Sequence, residues 1–136
     1  MQLAEAGNIE LSAPVQRYLP WFCVADGHAS EEMTVRHLLN QTSGLDSWSG
    51  WVPMADFDPR PGAAEKHARA LATLRLKHPV GSAFEYSNAN YDLLGLIIQA
   101  ASGESYADYV QNHIFDPLDM RHSYTARAEA MRNGLA

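Results

Sequence analysis

The chain has 136 residues, 46% hydrophobic and 19% charged, and carries a formal net charge of −6. This length suits one domain able to bury roughly two-thirds of its unfolded surface, and the composition is that of an ordinary soluble globular protein. The acidic balance, with ten Lys and Arg scattered and never three in a row, excludes a nucleic-acid surface, which needs clustered cations to neutralise phosphates.

Cys23 is the only cysteine, so no internal disulfide forms and no oxidising compartment is indicated. No apolar run approaches the roughly 20 residues of a membrane span. Met1-Gln2-Leu3-Ala4-Glu5 lacks the basic start of an export signal, and the compartment stays unassigned.

In chain order, residues 1–6 read as the tail of a helix closed by Gly7 and Asn8. About six residues are marginal as an isolated helix, which suggests a helix beginning outside the chain. Ser12-Ala13-Pro14 opens a short helical turn carrying Val15, Tyr18 and Leu19, and Pro20 ends it. Thr34 caps a helix bearing Val35, Leu38 and Leu39, which stops in the Asn40-Gln41-Thr42-Ser43-Gly44 turn. Residues 45–62, with three prolines and two glycines, read as a long ordered loop. The spacing of Ala64, Ala68, Leu71 and Ala72 predicts a helix from Ala63 to Leu76, terminated by His78-Pro79.

From about Ala89 to Ala101 only Asp92 and Gln99 are strongly polar, and a helix apolar on nearly all sides belongs in the middle of a domain. Ser102-Gly103 ends it. Ser105 with Asp108 caps a further helix bearing Tyr106, Tyr109, Val110 and Ile114. After Pro117 the chain is irregular, with a weak helical stretch at 126–132. Alternating strand patterns are nearly absent, so the fold class is mostly α.

The chemistry-bearing residues are few. Lys66 and Lys77 are the only lysines, and Ala63 and Leu74 stand three residues before them, so no Ser-x-x-Lys occurs. The six histidines show no i, i+4 pair and no His-Glu-x-x-His, which gives no metal site, and no cofactor motif is present. His37, beside Leu38 and Leu39, reads as a hydrogen-bonded packing residue. Ser43 lacks the Gly-x-Ser-x-Gly elbow and is explained by its turn. The Trp48-Ser49-Gly50-Trp51 cluster reads as loop packing. Tyr86-Ser87-Asn88 admits two readings: a site motif, or a helix start in which Ser87 or Asn88 caps and Tyr86 packs beneath.

The context decides parentage. Phe84-Glu85-Tyr86-Ser87-Asn88-Ala89-Asn90-Tyr91 before the apolar run Leu93 to Ile98, together with His37-Leu38-Leu39-Asn40-Gln41-Thr42-Ser43-Gly44-Leu45, resembles the middle of the penicillin-recognising serine hydrolases. That family comprises class C-type β-lactamases, DD-peptidases and related esterases. Leu11-Ser12-Ala13-Pro14-Val15 and Ile114-Phe115-x-Pro117-Leu118-x-Met120 extend the likeness from Met1 to about Ala130.

The resemblance implies that Tyr86 and Asn88 are the catalytic Tyr-x-Asn pair, the phenol moving protons around a serine and the amide holding ligand or lysine. It implies that this chain is the helical lobe of that fold, a single domain over 1–136 lacking most of the antiparallel sheet. The family's Lys/His-x-Gly motif is absent as well. Two readings follow. In one, the chain is a fragment of a serine hydrolase with no catalysis of its own and Tyr86 and Asn88 vestigial. In the other, it is a non-catalytic module that self-associates or docks on a complementary fragment, binding neither nucleic acid nor membrane core.

Overall fold

The structure, a computed structural model, describes residues 1–48, 62–125 and 127–134. Its elements are helical: α1 (Gln2–Glu5), a 3-10 turn (Val15–Arg17), α2 (Gly27–Glu32), α3 (Val35–Leu39), α4 (Ala63–Ala70), a 3-10 turn (Leu71–Thr73), α5 (Asn88–Ser102), α6 (Tyr106–Val110), a π-helical turn (Gln111–Phe115) and α7 (Arg127–Arg132). Among the described residues there is no strand; one isolated antiparallel bridge joins Pro14 to Thr34. The mostly α reading holds. No described helix is long and apolar enough to cross a membrane.

Helix α5 is the axis of the packing, as its apolar circumference predicts. It buries Ala89, Asn90, Leu93, Leu94, Leu96 and Ile97 and touches α1, α3, α4 and α6. Leu93 and Ile97 of this helix join Phe22, Met33, Leu38 and Leu45 in one buried cluster. Gly103 closes the helix with a left-handed backbone, φ +75°, its amide donating to the Gln99 carbonyl at 3.0 Å.

The short helices owe their existence to caps and tertiary contacts. In α1, Leu3 is buried and the Gln2 amide donates to the His113 carbonyl at 3.0 Å. The Thr34 hydroxyl accepts from His37 N at 3.3 Å while His37 Nδ1 accepts from Thr34 N at 3.2 Å, a reciprocal capping box. His37 is therefore a structural residue. The Ser105 hydroxyl accepts from the Asp108 amide at 3.1 Å and starts α6, as expected. That helix then widens into the π turn, where the His113 ring stacks on Tyr109 with centroids 4.4 Å apart.

Three details differ from the sequence expectation. Helix α2 was not anticipated, although Asp26 is a strong N-cap whose carboxylate accepts from His28 N at 3.0 Å and Ala29 N at 3.4 Å. The helix expected over Ala63–Leu76 stops at Ala70, with a 3-10 turn to Thr73 and an extended Leu74. The cause lies outside the segment: the Leu74 carbonyl accepts from Ala25 N at 2.9 Å, and Lys77 N donates to the Gly44 carbonyl at 2.8 Å. Those bonds draw 74–77 out of the helical path. Finally, of the loop expected over 45–62, residues 49–61, Trp51 among them, lie outside the described residues. Trp48 is described and is 70% exposed.

Candidate functional site

The site begins where α3 ends. Asn40 terminates the helix, and Gln41 takes a left-handed backbone, φ +59°, unusual for a residue with a Cβ. That conformation turns the chain back so that 41–44 lies against the loop leading into α5. Gln41 is only 7% exposed. Its carbonyl accepts from Glu85 N at 2.9 Å, and its side-chain Oε1 accepts from Ser87 N at 2.9 Å and Asn90 Nδ2 at 2.5 Å.

Ser43 completes the clamp. Fully buried, its hydroxyl donates to Asn90 Oδ1 at 2.6 Å and accepts from Leu45 N at 3.2 Å. It is more than the turn residue the sequence suggests. Asn90, also fully buried, is satisfied on both ends of its amide by residues nearly fifty positions earlier. Buried polar networks of this kind fix geometry because an unpaired member would be costly. Gln41, Ser43 and Asn90 were not read as site residues; the signal available was a run of polar residues flanking two apolar helices.

Upon this clamp stand the two residues that the family resemblance singles out. The Tyr86 hydroxyl donates to Asn88 Oδ1 at 2.8 Å, and Tyr86 is 56% exposed. It does not pack beneath the helix. Ser87 occupies the N-cap position of α5 without a capping bond from its side chain. The pair therefore faces outward from a rigid base.

Glu85 borders the pair. Its carboxylate accepts from Lys77 Nζ at 2.8 Å and from the Ser47 hydroxyl at 3.0 Å, with His78 Nε2 at 3.8 Å. Ser47 also reaches the Tyr86 carbonyl at 2.9 Å. The hydrogen bond from Lys77, then that from Ser47, hold the Glu85 carboxyl below its ordinary value of 4.5. A carboxylate so stabilised is a weak base, so Ser47 beside it is not an activated nucleophile.

A carboxyl depressed by folding contributes stability that is present above about pH 4.5 and is lost as pH falls through the folded value. Glu85→Gln should therefore melt lower than the parent at pH 7, and the gap should close below the folded carboxyl's pKa. Melting curves by circular dichroism across that range check the sign; a gap independent of pH would show that the ion pair is not its source.

Among the described residues no group of three or more His, Cys, Asp or Glu side chains is placed to hold a metal ion. The groups presented at this surface are thus a phenol and an amide, set by a buried clamp and flanked by an ion pair. Lysine appears there only as the partner of Glu85.

The family model described as Beta-lactamase matches residues 1–136, and the chain belongs to that family. It is 36% identical over 129 residues to Protein flp of Staphylococcus aureus (strain MW2), covering 90% of this chain and 24% of that one. Its identity to penicillin-binding protein 4 of Amycolatopsis lactamdurans is 30% over 136 residues, covering 97% of this chain and 34% of the relative. The solved structure of the octameric penicillin-binding protein homologue from Pyrococcus abyssi superposes with a TM-score of 0.71 at 28% identity, covering 97% of this chain and 31% of that one. The chain therefore spans about a quarter to a third of the length of these relatives.

Proposed function

We propose that this chain is the helical lobe of a β-lactamase-type serine hydrolase, one folding unit over 1–136. It presents Tyr86 and Asn88 as the Tyr-x-Asn part of an acyl-transfer site and performs no covalent acyl transfer by itself. The observation that carries this reading is the outward-facing Tyr86–Asn88 pair, bonded at 2.8 Å over a buried clamp, in a chain with no Ser-x-x-Lys. Acyl transfer through a covalent intermediate needs a nucleophile with a base in reach. Of the serines near Tyr86, Ser43 is bonded to Asn90 and Ser47 to Glu85. The absence of strands among the described residues supports the lobe assignment.

The purified chain should take no label from a β-lactam or a fluorophosphonate probe. Intact-protein mass spectrometry checks this. A stoichiometric mass gain that disappears on changing one serine would overturn the reading.

A second reading, self-association, is favoured by the exposed aromatic residues of the same face. Trp48 and Phe84 are each 70% exposed and Tyr86 56%, and Ser47 ties the first of these loops to the second. Exposed apolar patches associate, because burying them at ~25 cal/mol per Å² offsets much of the cost of assembly. The related Pyrococcus abyssi protein is octameric. Sedimentation at micromolar concentration should show species heavier than the 15.0 kDa chain that dissociate on dilution; one species near that mass at all concentrations contradicts the reading.

A further inference from the structure

A groove of about 540 Å³ runs along α5 between α1 and α6, lined by side chains other than Tyr86 and Asn88. Leu3, Leu94, Ile98, Tyr109 and Ile114 supply apolar wall. Of its two glutamines, Gln2 is bonded to the His113 carbonyl and the Tyr109 hydroxyl, and the Gln99 Oε1 accepts from Tyr106 N at 3.2 Å. Asp92 is the one charged side chain on this wall. It is half-buried and makes no hydrogen bond among the described residues. Burial pushes its carboxyl pKa up, against a smaller opposing pull from His67. A half-buried carboxylate without a donor is an expensive group to keep, and a cation brought by a ligand removes that cost.

We propose that this groove binds a primary ammonium carried on an unbranched apolar tail, the tail lying along α5 and the ammonium meeting the Asp92 carboxylate. The volume suits it, since small-molecule sites are typically 300–1,000 Å³, mostly apolar, with a few placed polar groups. The length suits it as well. Asp92 and Gln99 are seven positions apart on one helix, roughly 10 Å at 1.5 Å per residue, which is the reach of an octyl chain. Charge complementarity selects this occupant over a fatty acid, whose carboxylate would face Asp92, and over a neutral alcohol, which gains nothing from the charge.

Calorimetric titration of the full chain with octylammonium, hexylammonium, octanol and octanoate tests the assignment. Octylammonium should bind tightest and octanoate weakest. Removing two methylenes should weaken the ammonium series about 16-fold, at about fourfold per buried methylene. Asp92→Asn should lose about tenfold or more for octylammonium, the scale of a charged hydrogen bond, and leave octanol unchanged. Octanol binding as tightly as octylammonium to the unmodified chain overturns the proposal whatever the variant does. So does unchanged ammonium binding by a folded Asp92→Asn chain. So does a lack of uptake by a chain that sediments as a dimer, which would give the groove to a second copy.

Discussion

Replacing Ile97 by aspartate is expected to remove a large part of the stability of the fold. Ile97 is fully buried in α5, on the helix that touches four others. An aspartate there would place a carboxylate among Leu93, Leu38 and their neighbours with no cation to meet it. Burial of an unpaired charge is among the few single changes that cost roughly 4 kcal/mol or more, and a chain of this size holds only about 5–15 kcal/mol in all. Ile97→Val is the matched control, expected to cost about 0.5–1.5 kcal/mol for one lost methylene. Thermal denaturation of the three proteins gives the comparison. An Ile97→Asp chain melting within a degree or two of the parent would show that α5 is not the centre of the core.

Gly44→Ala should produce the second large loss. Gly44 has φ +84°, and a Cβ placed on it would lie 2.1 Å from the His78 carbonyl oxygen, a backbone atom that cannot swing aside. Relieving that overlap means moving 77–81 away from the turn. The bonds from Lys77 N to the Gly44 carbonyl and from Gly81 N to the Thr42 carbonyl, each 2.8 Å, would go with it. We expect a loss of roughly 3 kcal/mol, combining strain, overlap and broken bonds. Gly103→Ala separates the causes. Gly103 also has positive φ, +75°, but a Cβ there meets nothing within 4 Å, so only the left-handed penalty of roughly 1–2 kcal/mol remains. Equal losses in the two variants would mean that the close approach of residue 44 to residue 78 contributes nothing. The Gly44 variant should also loosen the Tyr86 loop, since the 41–44 turn is its base.

The pattern of what could be foreseen follows the range of the forces involved. Thr34 and Ser105 cap the helices expected of them because a cap is decided within three residues. The apolar run of α5 announced its central place because a helix with no polar face has nowhere else to go. Asp26 before α2 carries the same kind of local signal. The family of the chain was legible as well, because it rests on residue identity in a fixed order rather than on conformation.

What the chain could not announce is where distant backbone groups find partners. Ala63–Leu76 has the periodicity of one continuous helix, yet Ala25 and Gly44 claim Leu74 and Lys77 and end it early. Asp92 reads as an ordinary polar position until α1 and α6 wall off the groove beside it. Gln41, Ser43 and Asn90 look like turn and helix-start residues, and only folding brings them together across 46 to 49 positions. Local propensity is written in neighbouring side chains, so the sequence by itself determined the caps, the apolar helix and the family motif. The buried clamp that aims Tyr86 and Asn88 outward was decided only by the tertiary structure, because its hydrogen bonds exist only once the two halves of the chain have excluded water between them.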